Sequence, residues 1–249
     1  MQKQVRKKKS NQEKLQEAVF IKNKYLEVKK PLVEKMFLWL FLWFGFWGGY
    51  YLLNFFGFSY TKGFIITSAY YLLVSIIVIL VFRKHFYIVF KEFSAIPFVF
   101  LGGIILASFA TYWFANLYLG SIINSIAGIS IGELESISYS YLITKIFEIL
   151  VQQTFIVLLI SFYIEAKMSL KKLVLTFILF FGGIHLVVFY TEGILIGGYY
   201  FFSSLIAGIL FPIIIKKYNC GFIYTFSIHY GFYVLSGLII LIPYIFRKL

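Results

Sequence analysis

Five polar residues that can transfer protons or form hydrogen bonds interrupt the apolar segments in the second half of this sequence. Glu148, Gln152 and Gln153 lie in one segment, and His185 and His229 each lie in a later one. A carboxylate or an imidazole can act as a general base, whereas an amide only donates and accepts hydrogen bonds. A charge near a bilayer centre costs about 3 kcal/mol and usually faces a bundle interior. The five residues therefore predict one buried site.

Helical spacing places these residues at compatible positions. Glu148, Gln152 and Phe155 follow one another at i, i+4 and i+7, so they share one stripe of a helix. At a rise of 1.5 Å per residue, His185 and His229 lie ~18 Å and ~12 Å from the inner ends of their segments. Gln152 lies near the middle of its own segment. We therefore expect all three segments to contribute to one layer of the membrane.

The composition indicates that the protein lies in a membrane. Hydrophobic residues make up 61% of the 249 residues and aromatic residues 22%, and the mean hydropathy is +0.89. These values exceed those of soluble domains. We predict an all-α integral membrane protein, a polytopic bundle of seven or eight transmembrane helices. The predicted segments are residues 36–57, 64–82, 95–119, 141–163, 173–190, 194–215 and 221–246.

Two stretches of the chain leave the helix count open. The last segment is long enough for one tilted helix or for two short helices broken near Ser236 and Gly237. Residues 120–140 are rich in Ser, Gly and Glu and contain no basic residue. We expect them to form a loop or an interfacial helix on the outer side.

Basic residues concentrate before the first apolar segment. Eleven of the 23 Lys and Arg residues lie within residues 1–35, which we interpret as a cytoplasmic segment preceding the transmembrane domain of residues 36–249. With this terminus inside the cell, 19 basic residues lie on the inner side and at most three on the outer side. The pattern predicts a multi-pass protein of the cell membrane whose residues 3–35 attract anionic lipid, not nucleic acid. We expect residues 10–35 to be helical.

The residues also allow two other kinds of site. Glu148, His185 and His229 could form a two-histidine, one-carboxylate metal site, but they lie on separate segments and no His-Glu-x-x-His motif supports it. Pairs of glycines could mark the broken helices of a transporter, although close helix packing explains them more simply. The single cysteine excludes an internal disulfide. We expect no metal and no cofactor.

Motifs over residues 140–235 resemble those of prenyl-protein (CAAX-type) proteases and their bacteriocin-processing relatives, which are polytopic intramembrane glutamate peptidases. That family carries Glu-Glu-x-x-x-Arg, then Phe-x-x-x-His, then His-x-x-x-Asn or Asp, on successive helices. Phe181 and His185 match the second motif, and His229 matches the first residue of the third. The resemblance implies a CAAX-protease-like core and an endopeptidase site for a hydrophobic or lipidated peptide.

The departures from the family pattern concern the catalytic groups. Gln152 and Gln153 stand where the family has its Glu pair, Val157 replaces the Arg, and Tyr233 replaces the closing Asn or Asp. Loss of the general base costs ~100-fold to ~10,000-fold in rate. The resemblance implies catalytic positions at Gln152, Gln153, His185 and His229, and substrate-binding positions at Phe181 and Tyr233. Helical spacing adds Glu148, one turn before Gln152, as a further catalytic candidate, and Phe155, on the same stripe, as a further substrate-binding candidate.

The role of Glu148 separates the two functions that remain. Glu148 could replace the missing base, or it could form an ion pair with Lys145 at i, i+3. In the first case the protein is an unconventional intramembrane endopeptidase. In the second it is a non-catalytic relative that binds a membrane peptide or protein partner.

Overall fold

The computed structural model describes residues 32–89, 94–126 and 138–246, and all regular elements in these ranges are helices. The chain divides into two compact units, Met1–Leu38 and Trp39–Leu249. Of the first unit, the structure describes only the start of one helix. The helices are α1 (Leu32–Phe55), α2 (Phe64–Val81), α3 (Arg83–Val89), α4 (Ile96–Ile126), α5 (Tyr139–Glu165), α6 (Leu170–Lys217) and α7 (Gly221–Phe246).

Six helical stretches within the described ranges are long and apolar enough to cross a membrane, by length and composition. Their outward faces carry exposed Phe, Ile and Leu side chains, which water would not tolerate over so large an area. This is the architecture of a polytopic helical membrane protein, as the composition predicts. The six stretches are Leu32–Phe55, Phe64–Val81, Ile96–Phe114, Tyr139–Glu165, Leu170–Tyr190 and Ile196–Lys217.

One helix differs from its predicted segment, and another decides between the two alternatives left open for the last segment. Helix α4 continues to Ile126, so residues 120–126 extend it and do not begin a separate loop or interfacial helix. Helix α7 continues through Ser236 and Gly237 to Phe246, so the last segment is one helix. A glycine in a helix interior costs about 1 kcal/mol, which is less than opening backbone hydrogen bonds in lipid. This explains why Gly237 does not break α7.

Other predictions fall on parts of the chain outside the described residues. The basic segment lies outside up to residue 31, and so does most of the helix expected over residues 10–35. Residues 127–137, which belong to the predicted loop or interfacial helix, also lie outside. The carboxyl-terminal Arg247 and Lys248 also lie outside.

Helix α5 is the central helix of the second unit. Of its most apolar 18 residues, 83% are buried, against at most 33% in the other membrane-spanning stretches. It lies parallel to α2, because Ser68 bonds to Thr144 near one end and Phe82 packs on Phe162 near the other. It packs antiparallel to α7. The polar residues of α5 are therefore enclosed by protein and not by lipid.

Helix α6 is a hairpin of two antiparallel stretches. Its backbone leaves the helical conformation at Gly193, where φ is 81° and ψ is 178°. A side chain is rarely tolerated at a positive φ with this ψ, so glycine permits the reversal. The two arms are Leu170–Tyr190 and Ile196–Lys217, in agreement with two predicted segments.

Glycines bring the two arms of α6 into backbone contact. A Cβ atom built on Gly197 would lie 2.5 Å from the Phe189 Cα, and one on Gly208 would lie 3.0 Å from the Ile178 Cα. In lipid there is no hydrophobic driving force between helices. Small residues stabilise their association because they let the two backbones approach closely. Gly197 and Gly208 therefore serve packing. The packing role that the sequence interpretation favours for the glycine pairs holds for Gly197, but a Cβ added at Gly48, Gly102, Gly103 or Gly183 would meet no atom within 4 Å.

Candidate functional site

A buried hydrogen-bonded chain follows one face of α5. The Lys145 Nζ donates to Glu148 Oε2 at 2.5 Å, and the Gln152 Nε2 donates to Glu148 Oε1 at 2.7 Å. Lys145 and Glu148 are each only 1% exposed. Both carboxylate oxygens therefore accept a hydrogen bond from their own helix, and the ion pair at i, i+3, one of the two alternatives for Glu148, is present.

Three tyrosine rings surround the ammonium group of Lys145. Its Nζ lies 4.1 Å from the ring centre of Tyr233, 4.9 Å from that of Tyr60 and 5.6 Å from that of Tyr141. Cations within about 6 Å of an aromatic face are attracted to it. Burial raises the pKa of the Tyr60 phenol well above its usual range, and the Glu148 carboxylate adds to the rise. Tyr60 therefore remains neutral beside the cation.

Gln153 fixes the tautomer of His229. The Gln153 Nε2 lies 3.2 Å from the Thr225 carbonyl oxygen, which can only accept, so this atom is the amide nitrogen. The same nitrogen lies 3.1 Å from His229 Nδ1. The Nδ1 atom must then accept, and the ring proton resides on Nε2. His229 is therefore a hydrogen-bond donor at its second nitrogen.

In His185 the roles of the two ring nitrogens are reversed. Its Nδ1 lies 2.7 Å from the Phe181 carbonyl oxygen one turn earlier, so Nδ1 carries the proton. An uncharged imidazole with its proton on Nδ1 has Nε2 as an acceptor. The Phe181 ring packs on the imidazole, with centres 4.8 Å apart. This orders the His185 side chain.

Both imidazoles line a cavity of about 160 Å³ between the arms of α6 and α7. Exposed Ile206, Leu210 and Ile228 at its edge open it towards the lipid. The cavity contains no carboxylate. Its lining residues are Phe181, His185, Tyr200, Ser203, Ser204, Ile206, Ala207, Leu210, Phe211, Ile228, His229, Phe232 and Tyr233.

The predicted site residues fall into three places. The cavity lining brings together His185, His229, Phe181 and Tyr233. The three polar residues of α5 lie behind this lining: Gln153 bonds to His229, whereas Glu148 and Gln152 bond within α5. Phe155 belongs to neither group.

Phe155 lies in an aromatic cluster between α1 and α5. Its ring centre lies 5.4 to 6.0 Å from those of Trp39, Trp43 and Phe46. The Trp39 indole also donates to the Phe155 carbonyl oxygen at 2.8 Å. These contacts give Phe155 a packing role, on a side of α5 away from the cavity.

Several residues of the site were not expected from the sequence. Ser203, Ser204 and Tyr200 line the cavity from the second arm of α6. The consecutive serines in an apolar segment are a signal that could have identified this wall. Tyr60 lies in the turn between α1 and α2 and is fully buried over Lys145, a long-range contact with no local sequence signal.

Within the described ranges, Glu148, His185 and His229 do not come together as a metal site. Across residues 32–89, 94–126 and 138–246, no three His, Cys, Asp or Glu side chains converge as ligands. The cavity is instead lined by the two imidazoles, by the hydroxyl-bearing residues Tyr200, Ser203, Ser204 and Tyr233, and otherwise by apolar side chains. The chain has no match among protein-family models, curated proteins or solved structures.

Proposed function

We propose that this protein is a non-catalytic, CAAX-protease-like membrane protein that binds a hydrophobic segment of a membrane peptide or protein. The supporting observation is the state of Glu148, whose two carboxylate oxygens bond to Lys145 and Gln152. A general base must lie within hydrogen-bond reach of the proton that it removes. Glu148 does not line the cavity, and Gln152 and Gln153 have no basic oxygen at neutral pH.

The form of the cavity supports an apolar ligand that arrives through the lipid. Its edge consists of exposed aliphatic side chains, and its walls are mainly aromatic. A cavity of about 150 Å³ with apolar walls can hold benzene. The 160 Å³ cavity is therefore large enough for one side chain of a partner segment.

The proposal places the basic end of the helices in the cytoplasm. Lys62 lies at one side of the bundle. The basic residues at the start of α3 and at the ends of α5 and α6 lie at the other side: Arg83, Lys84, Lys167, Lys171, Lys172, Lys216 and Lys217. Basic residues favour the cytoplasmic side of a membrane. On this side, residues 3–35 would contact anionic lipid.

Photo-crosslinking in lipid nanodiscs tests the proposed binding. The probe is a leucine-rich peptide of transmembrane length with a diazirine near its centre. We expect crosslinks on α6 and α7, and we expect Ala207→Phe to reduce them about tenfold because the new ring fills the cavity. The matched control is Ala110→Phe, which adds the same ring to an exposed position of α4.

The crosslinking experiment has two outcomes that would contradict the proposal. One is an absence of crosslinks on α6 and α7. The other is equal labelling of the Ala207→Phe and Ala110→Phe variants, since binding would then take place outside the cavity.

An intramembrane endopeptidase is the second candidate function. It is favoured by the position of His185 and His229 in one cavity, since an imidazole can act as a base and another can stabilise an oxyanion. Mass spectrometry of the same peptide after incubation separates the two functions. An intact peptide is expected. Fragments that disappear in His185→Ala, but persist in Ala110→Phe, would establish the peptidase instead.

A further inference from the structure

We propose that the group bound in the cavity is a phenol, the side chain of a tyrosine in the partner segment. This rests on the proposed function, because it names the side chain that the partner inserts. Its hydroxyl would lie between His185 and His229, and its ring would lie against the aromatic walls.

The tautomers of the two imidazoles specify the hydrogen bonds of the ligand. His229 presents Nε2–H as a donor, because Gln153 donates to its Nδ1. His185 presents Nε2 as an acceptor, because its Nδ1–H donates to the Phe181 carbonyl. Neither Nε2 atom has a hydrogen-bond partner within the described part of the chain. A hydroxyl satisfies both, since it donates one hydrogen bond and accepts another.

The walls of the cavity favour an aromatic ring next to this hydroxyl. The ring centres of Phe181 and Phe211 lie 6.2 Å apart, and Phe211 lies 5.7 Å from His229. Phe232 and Tyr233 form a further part of the lining. Aromatic rings prefer tilted or edge contacts with one another at 4.5 to 7 Å. A phenol fits both the volume and the polarity, whereas an aliphatic alcohol lacks the ring contacts.

Related side chains leave part of the site unsatisfied. Phenylalanine has the ring without the hydroxyl, so both Nε2 atoms would be covered by carbon. Sites built to bind a hydroxyl reject the analogue without it, because buried polar groups are then left without partners. Glutamine supplies a donor and an acceptor but no ring.

Competition between three peptides tests the inference. Each is the same leucine-rich transmembrane peptide with Tyr, Phe or Gln at its centre, and each competes with the diazirine peptide for the protein in nanodiscs. We expect the Tyr peptide to compete ~10-fold to ~100-fold more strongly than the Phe peptide. In His185→Phe the preference should fall to about twofold or less, because the acceptor is removed.

A measurement on the unaltered protein avoids any effect of substitutions on folding. Free 4-ethylphenol should displace the diazirine peptide at concentrations ~10-fold below those of ethylbenzene, which has the same ring and chain. Equal competition by the Tyr and Phe peptides, or by the two free compounds, would overturn the phenol assignment and leave the binding function standing. Stronger competition by the Gln peptide would also overturn it. An absence of crosslinks with the diazirine peptide would instead refute the proposed function.

Discussion

Replacing Lys145 with methionine should lower the free energy of unfolding by about 3–5 kcal/mol, because the substitution leaves a buried carboxylate without its counter-charge. Lys145 and Glu148 are each 1% exposed, so water cannot take the place of the lost ammonium group. Methionine keeps the length of the side chain among the tyrosine rings. The decrease in the free energy of unfolding would therefore result from the missing charge more than from a change in side-chain volume.

The double variant Lys145→Met with Glu148→Gln is the matched control. It removes both charges and retains an oxygen that can accept the hydrogen bond from the Gln152 amide. Replacement of both members of a buried pair is often nearly neutral, whereas removal of one is costly. We expect the double variant to recover most of the stability, measured as midpoint of unfolding in the same nanodisc lipid.

The outcome also bears on the role of Glu148. If Lys145→Met were as stable as the unaltered protein, Glu148 would not depend on its ion pair and could be free for chemistry. If both variants were equally destabilised, the contact of Lys145 with the rings of Tyr60 and Tyr233 would contribute more than the charge pair. Either result would remove the main support for a structural role of Glu148.

Local patterns predicted the features of this protein that depend on residues close together in the chain. The apolar segments and the Lys145–Glu148 pair follow from helical spacing, and the turn in α6 follows from the polar residues around Gly193. The role of Phe155 could not be found in this way. Because α5 is buried on nearly all sides, a shared stripe with Gln152 did not specify which neighbour Phe155 would meet.

The cavity depends on contacts between distant parts of the chain. His185 and His229 could be placed at similar depth from segment lengths alone, but their tautomers depend on Phe181 and Gln153. The open edge arises from how the second arm of α6 packs against α7. Helical period gives no information about such a gap, because both arms of α6 are apolar around much of their circumference.

Gly197→Ala should destabilise the hairpin of α6 by about 1–3 kcal/mol, since the added methyl group overpacks a backbone contact. The new Cβ would lie 2.5 Å from the Phe189 Cα and 2.8 Å from its nitrogen. A side chain could rotate away, but these backbone atoms cannot move unless the two arms separate. Because Tyr200 lines the cavity three residues later, we also expect weaker crosslinking of the diazirine peptide.

Gly183→Ala provides the control in the same hairpin. A Cβ at Gly183 would meet no atom within 4 Å, and the residue is exposed. Alanine is more favourable than glycine in a helix by about 1 kcal/mol, so this variant should be as stable as the unaltered protein or more stable. Thermal unfolding of both variants in the same lipid compares them directly. Equal midpoints would mean that the arms of α6 are not held by the contact of Gly197 with Phe189, and the lipid-facing cavity that they form with α7 would then need another support.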